Sequence, residues 1–505
     1  MGPSATAFNL AWECLGRQAA ARPDKTALII ADSADAFRSW TYGELDANVR
    51  RLAGGFISSG LRKGDRVMIR AANDIGFVLA FFATTAIGCV AQPASLLLTT
   101  GEALMLAQDS GAAAIVLGDA DPRERAAFAA LRVFDRDETL RAAAEYAPAE
   151  YAPTCSEDPA YLVFTSGSTA EPKGVLHAHR VVIGRRPMAR DWLDLSESDV
   201  VLHAGNINWT YTLGVGVLDP FAAGATGALY AGPRDPTIWP KLIEKLKATI
   251  FAAAPGVYRQ ALKYGDPAKF DLSSLRHGVA AGEALPPEIL AHWREATGTW
   301  VYEALGMSEI STFISSRPGE PIRPGSPGRP QTGRRVAILP VEGGTDPLPA
   351  GKAGLLAVHR SDPGLMLGYS NRPEEEAAAF RGEWFIGGDL AEFDEDGFVW
   401  HHGRNDDVMN AFGYRVSPLE VEKALLTHPD VADVAVAERK VAKDVSVIAA
   451  FIVPKAGRAP DEAVLLAHAA ERLAVYKRPR KIVFVSELPH TANGKLSRRL
   501  LPRLA

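Results

Sequence analysis

The run Thr165-Ser166-Gly167-Ser168-Thr169-Ala170-Glu171-Pro172-Lys173-Gly174 sets four hydroxyls, two glycines and a lysine within ten residues. Hydroxyls and backbone N–H groups can wrap phosphate oxygens, and glycine permits the tight turns that such wrapping needs. Lys173 adds a cation for the same anion. The apolar stretch Tyr161-Leu162-Val163-Phe164 leads straight into the run and reads as a buried strand. No Gly-Lys-Ser/Thr closes it, so it is not a Walker A loop. Taken from its residues alone, the alternative is a flexible surface turn.

A phosphate loop works only if regular elements hold it still. Ala27–Ala31, Arg66–Ala71 and Ala113–Leu117 read as strands, and Arg50–Gly60 and Ile238–Leu246 as helices. This alternation predicts βαβ units and mainly parallel sheets. The most apolar stretch begins near Phe77, but Gly88, Gln92 and Pro93 interrupt it before it could span a bilayer, so it reads as a core helix. Ala126–Ala149, rich in alanine, arginine and glutamate, reads as surface helix. From Ser361 to His402 short strands alternate with turns at Gly382, Gly387, Gly388, Asp394 and Gly397. Beyond a junction at Gly403–Asp407 come a helix (Pro418–Leu426), two strands (Val431–Glu438, Val445–Val453), a helix around Asp461–Leu473 and a strand (Lys481–Val485). The predicted organisation is therefore α/β, with residues 1–403 as a large N-terminal domain of βαβ-type sheets plus a β-rich subdomain. Residues 404–505 form a small α+β C-terminal domain.

Tyr161–Gly174 closely resembles the signature loop of the adenylate-forming superfamily, which holds acyl-CoA synthetases, luciferases and peptide-synthetase adenylation domains. Further motifs of that superfamily follow in order. Ala281-Gly282-Glu283-Ala284-Leu285-Pro286 resembles its strand-end loop beside the adenine, and Tyr302–Glu309 its Y-G-x-T-E motif. Trp384–Asp389 resembles its T-G-D motif and Gly403-Arg404-Asn405-Asp406-Asp407 its G-R-x-D-D hinge. Gly413–Pro418 resembles the thioester-step loop, and Thr491-Ala492-Asn493-Gly494-Lys495 the late catalytic-lysine motif. Trp40-Thr41-Tyr42-Gly43-Glu44-Leu45 is similar to an early motif, so the resemblance spans nearly the whole chain.

The resemblance implies roles. Thr165, Ser166, Gly167, Ser168, Thr169 and Lys173 would cradle the phosphates of ATP. Gly282, Glu283, Glu303, Ala304 and Ser308 would surround the nucleotide, with Glu303 near the adenine amino group. Glu309, with Thr165, would hold Mg²⁺, for which a carboxylate oxygen is a suitable hard ligand. Asp389 would grip both ribose hydroxyls, a double acceptance open to a carboxylate, and Arg404 would reach the same ribose. Lys495 would act in the first step together with Lys173 and Glu309. Asp406 would be the hinge of a mobile C-terminal domain. Gly413, Tyr414 and Arg415 would enter for the CoA step. The pattern departs at Gly387, where a threonine is usual, and at Ser308, which keeps the usual hydroxyl. His401 and His402 stand where aromatic or aliphatic residues are common. Neighbours on a strand face opposite sides, so this pair should not chelate one metal, and both are read as structural.

The implied activity is an AMP-forming carboxylate–CoA ligase that uses ATP, Mg²⁺ and coenzyme A. The acyl pocket is expected from His203, Asn208, Trp209, Tyr211, Ala280 and Gly306. Acetyl-CoA synthetases carry a bulky tryptophan at the position matching Gly306, so acetate is not the expected acid. Ala280–Pro286 and Gly306–Ser316 look most like benzoate-CoA ligases, then medium-chain acyl-CoA synthetases. The expected acid is an aromatic or short-to-medium monocarboxylate. The alternative is an adenylation enzyme loading an acid or amino acid onto a carrier-protein pantetheine. That reading needs an acidic residue for the amine near Asp219 or Asn208, and a carrier domain, which is not read downstream.

The bulk properties agree. The 505 residues are 47% hydrophobic and 23% charged, with a net charge of -5. This weak acidity argues against a nucleic-acid partner. Three scattered cysteines with no CxxC pair argue against a disulfide framework or zinc site and fit a reducing cytoplasm. No secretory signal or membrane partner is expected, and a homodimer is the oligomer expected.

Overall fold

The computed structural model describes residues 8–119, 122–165, 172–405, 409–411, 414–442, 445–490 and 496–503. The chain divides into two compact units: Met1–Arg335 with Val358–Glu383, and Val336–Ala357 with Trp384–Ala505.

The first unit holds two large sheets. One has seven strands in the order Gly368–Ser370, Lys173–Ala178, Pro159–Thr165, Val90–Pro93, Arg66–Arg70, Ala112–Leu117 and Arg132–Phe134. Its last five strands pair in parallel, while Pro159–Thr165, Lys173–Ala178 and Gly368–Ser370 pair antiparallel at one side. The other has nine strands, with Val301–Met307, His277–Ala281, Ile250–Ala253, Val200–His203, Thr226–Tyr230 and Thr26–Ala31 as its parallel heart. The expected mainly parallel α/β architecture is what is found.

The apolar stretch near Phe77 is the helix Ile75–Ala86, and all 12 of its residues are buried. A helix apolar on every face must be covered on every face. Phe81 lies 6.0 Å from Tyr161 of the seven-stranded sheet. Phe82 stacks at 5.5 Å on Phe221, in the short helix Asp219–Ala223 ahead of the nine-stranded sheet's strand Thr226–Tyr230. No helix among the described residues is long and apolar enough to cross a membrane.

Two expectations shift in the first unit. The helix expected at Arg50–Gly60 begins earlier and runs Tyr42–Ser58. Thr41 accepts the Glu44 N–H while Glu44 accepts the Thr41 N–H, so the early Trp40–Leu45 motif is a capping box. The segment Ala126–Ala149 is not one helix. Arg132–Phe134 is an edge strand paired with Ala112–Leu117, and Arg136–Glu145 is the helix, capped by Asp135. Burial of Val133 and Phe134 against that sheet outweighs the helix preference of the alanines around them.

In the second unit, Trp384–Phe393 pairs antiparallel with Val399–Arg404 in a sheet that also includes Val336–Leu339 and Gly354–His359. Gly387 and Gly388, expected as a turn, lie inside the long strand, with Gly388 at φ +85°. The last segment is a three-stranded sheet of Val431–Ala442, Val445–Pro454 and Lys481–Phe484. The helices Pro418–Leu426 and Glu462–Arg472 cover it through Val421, Leu425 and Leu465.

One buried ion pair ties the first unit together. Arg185, on the helix Val181–Asp191, donates Nε and Nη2 to the two oxygens of Asp219, each at 2.7 Å. The side chains are 4% and 3% exposed. A Cβ on Gly214 would stand 1.9 Å from Arg185 Nη2, so only glycine leaves room for the guanidinium. Removing one partner of such a pair strands the other in an apolar interior. Asp219→Ala is expected to cost about 3–5 kcal/mol of stability by urea denaturation. A loss under about 1 kcal/mol would show the charge finds another partner.

Candidate active site

Thr165 ends one strand and Lys173 begins the next, directly opposite in register. Ser166, Gly167, Ser168 and Thr169 lie outside the described residues. The strand Gly368–Ser370 continues the sheet, with Tyr369 opposite Val175. The Tyr369 hydroxyl donates to Glu309 Oε1 at 2.7 Å, and Lys173 Nζ lies 5.4 Å from the Tyr369 ring centre. The Met366 N–H donates to the Glu309 carbonyl at 2.7 Å. His177 lies 2.8 Å through Nε2 from the Ser308 carbonyl. Burial lowers the His177 pKa to about 4, so its ring is neutral at pH 7 and Nε2 carries the proton that the carbonyl accepts. Lys173, Ser308 and Glu309 are thus brought together, and Tyr369 is a site residue that the sequence reading missed.

One oxygen of Glu309 is held by Tyr369. Among the described residues no three His, Cys, Asp or Glu cluster around a cation site. The single carboxylate of Glu309 suits Mg²⁺, which takes one or two carboxylates and keeps its remaining places for phosphate oxygens and water.

Glu303 sits on the strand Val301–Met307 that leads into Glu309, its N–H accepted by Ser316 Oγ at 2.7 Å. Ala304 is buried beside Tyr211, Val279 and Ala281. Ala280 faces the opposite side of the sheet and packs with Leu285 and Trp293. Gly282, at φ +98°, and Glu283 follow at the exposed strand end. A Cβ on Gly282 would stand 2.9 Å from Trp209.

His203, Trp209 and Tyr211 form an aromatic group. Tyr211 meets His203 at 4.5 Å and Trp209 at 5.3 Å, both edge to face. Burial pushes the Tyr211 phenol up, and its hydroxyl lies 3.3 Å from the Val279 carbonyl. The Asn208 amide reaches the Ala94 carbonyl at 3.5 Å. Gly306 has a structural reason to be glycine beside the open channel expected of it. A Cβ there would stand 2.4 Å from the Ser311 carbonyl oxygen, at a register shift between the paired strands. Asp219, the acid considered for an amine, is committed to Arg185.

In the second unit, Asp389 and Arg404 are register partners. Arg404 Nη1 donates to the Gly387 carbonyl at 2.6 Å and lies 3.9 Å from Asp389 Oδ2. His401, read from sequence as structural, lies 3.0 Å through Nε2 from Asp389 Oδ1. A bulge between Leu390 and Ala391 sets His401 opposite Ala391 and so on the Asp389 face. His402 faces away, 3.7 Å from Glu392, and burial lowers its pKa. Asp406, Gly413 and Lys495 lie outside the described residues. Tyr414 and Arg415 are on a short strand paired with Met409–Ala411.

Two family models match the chain: AMP-binding enzyme over residues 15–370 and AMP-binding enzyme C-terminal domain over 420–495. The benzoate–CoA ligase of Thauera aromatica is 33% identical over 510 residues, 97% of this chain and 95% of that one. The mitochondrial acyl-coenzyme A synthetase ACSM3 of Mus musculus is 32% identical over 489 residues, 92% and 83% of the two chains. The crystal structure of the anthranilate CoA ligase AuaEII with anthranoyl-AMP matches with a TM-score of 0.89 at 32% identity, covering 98% and 97%. The chain belongs to the AMP-binding, adenylate-forming enzyme family. It is an AMP-forming acid–thiol ligase that uses ATP and coenzyme A.

His401→Phe removes a hydrogen bond to Asp389 while keeping an aromatic ring. It is expected to raise the KM for ATP about fivefold, roughly 1 kcal/mol, with a smaller change in kcat. Steady-state kinetics at saturating acid and CoA would check this, and an unchanged KM would return His401 to a structural role.

Proposed function

We propose that the chain activates an aromatic or short-to-medium monocarboxylic acid, with benzoate-like acids first. The observation that carries this reading is the aromatic group of His203, Trp209 and Tyr211 at the strand ends, the kind of wall usual in small-ligand sites. Arg185, beside Gly214, is neutralised by Asp219 and is not free for a second carboxylate. The similarity to benzoate– and anthranilate–CoA ligases points the same way.

In the first step a carboxylate oxygen of the acid bonds to the α-phosphorus of ATP, and the bond to pyrophosphate breaks. Two anions meet, so positive charge must wait where negative charge builds. Lys495 supplies it, Glu309 and Thr165 would hold the Mg²⁺ whose charge would add to it, and Thr165–Thr169 with Lys173 retain the phosphates. Asp389 and Arg404 fix the ribose, while Gly282, Glu283, Glu303, Ala304 and Ser308 fix the base end. Catalysis is then positioning and electrostatics. In the second step the sulfur of CoA bonds to the acyl carbon, the carbon–oxygen bond to AMP breaks, and the thiol proton passes to water. Residues 404–505 turn about Asp406, withdrawing Lys495 and presenting Gly413, Tyr414 and Arg415. The same reading makes the protein a cytoplasmic homodimer with no nucleic-acid partner.

AMP release with ATP, Mg²⁺ and CoA against acetate, butyrate, hexanoate, benzoate, substituted benzoates and phenylacetate tests the acid. At least one aromatic or medium-chain acid is expected to exceed acetate in kcat/KM by roughly a hundredfold. Acetate as the best substrate would overturn the reading. Lys495→Ala is expected to slow adenylate formation about 10²–10³-fold while sparing thioester formation from supplied adenylate. Equal loss in both half-reactions would remove the lysine from its assigned step.

A further inference from the structure

Tyr369 is half-buried on the three-residue strand Gly368–Ser370, and more than the sheet ladder holds its main chain. It lies opposite Val175, on the strand that Lys173 begins. Just ahead of it the Leu367 N–H donates to the Leu176 carbonyl at 2.7 Å, and the Met366 N–H to the Glu309 carbonyl at 2.7 Å. Glu376 Oε2 accepts the Tyr369 N–H at 3.3 Å. A Cβ on Gly368 would stand 2.2 Å from that oxygen, so glycine is what lets the Glu376 carboxylate lie there. So short a strand has few ladder bonds of its own, and these ties fix the point at which the tyrosine ring leaves the sheet.

From that point the side chain meets two charged groups at once. Its hydroxyl donates to Glu309 Oε1 at 2.7 Å, and Lys173 Nζ stands 5.4 Å from the centre of its ring, within reach of the ring's π face. The hydroxyls of Tyr211 and Tyr258 are spent differently, on main-chain carbonyls in the buried core. The Tyr369 hydroxyl instead meets a carboxylate that is itself half-buried. Water can reach such a pair, so the fold does not depend on the bond as it would on a sealed one. What the bond does restrict is the carboxylate. It engages one oxygen, limits rotation of the group, and so decides which oxygen is left for a cation.

We infer that Tyr369 is a positioning residue of the first step: its hydroxyl orients the Glu309 carboxylate for a divalent cation, and its ring holds Lys173 beside the phosphate loop. This rests on the assignment of Glu309 to Mg²⁺ made above and deepens it.

The test is isothermal titration of the full chain with ATP in the absence of acid, once with Mg²⁺ and once with EDTA. It compares the wild type with Tyr369→Phe, Tyr369→Leu and Glu309→Gln. The quantity read is the factor by which Mg²⁺ tightens ATP binding. Phenylalanine keeps the ring under Lys173 and removes only the hydroxyl. It is expected to lower that factor about fivefold while leaving the affinity in EDTA unchanged, with Tm within about 2 °C of wild type. Leucine removes the ring as well, and is expected to weaken ATP binding in EDTA about threefold. In turnover, Tyr369→Phe is expected to raise the Mg²⁺ concentration for half-maximal AMP release by a similar fivefold. An unchanged factor in Tyr369→Phe beside a lowered one in Glu309→Gln would overturn the role of Tyr369 and leave Glu309 at the cation. Equal weakening with Mg²⁺ and with EDTA in Tyr369→Phe would reduce the tyrosine to a structural residue and overturn it too. An unchanged factor in Glu309→Gln would bring down the metal assignment and the inference with it.

Discussion

Glu309 has to be held from two sheets at once. It stands at the turn after Val301–Met307 in the nine-stranded sheet, yet three hydrogen bonds reach it or its neighbour from the other side. These are Tyr369 Oη to its carboxylate, Met366 N to its carbonyl, and His177 Nε2 to the Ser308 carbonyl. A carboxylate proposed to hold a divalent cation against phosphate cannot drift, since a misplacement near 1 Å can cost on the order of a hundredfold in rate. Lys173 stands over the ring of the same Tyr369. The lysine of the phosphate loop and the carboxylate of the Y-G-x-T-E motif thus share one anchor.

That anchor needs the sheets close together, and the core is built to bring them there. The helix Val181–Asp191 approaches the chain ahead of Tyr369 so closely that a Cβ on Gly184 would stand 2.2 Å from Gly364 Cα. Arg334, bonded at 2.8 Å to Asp362, also donates to the Gly184 carbonyl at 2.7 Å. On the same helix Arg185 crosses to Asp219 and Ser311. Buried charges are expensive unless paired and fully bonded, so such pairs fix geometry more than they add stability. Here they determine where the helix can lie, and through Gly364 where Tyr369 begins.

How much was legible in sequence follows from whether the signal was local. The strand before Thr165, the core helix near Phe77, the helices Ile238–Leu246 and Pro418–Leu426, and the small three-stranded sheet each carry their own periodicity, and each is found. Capping by Thr41 and Glu44 was equally local and was passed over. Tyr369 was out of reach, because nothing near it in the chain names Glu309 as its partner, 60 residues away. His401 was lost for a different reason. Strict alternation puts one of two adjacent histidines on the Asp389 face, but a single bulge between Leu390 and Ala391 decides which. Register of this kind is a property of the pair of strands, invisible in either alone.

The buried histidines of the first unit differ in their bonding. His177, His179 and His277 each make one hydrogen bond to a main-chain group, enough to fix the ring and serve the fold. Tyr211, in the same aromatic group as His203, has its hydroxyl within reach of main-chain carbonyls. His203 alone among these has both nitrogens without a partner, and the nearby hydroxyl of Thr212 shares that condition. Buried polar groups of a fold find partners within the fold. His203 and Thr212 are among the exceptions.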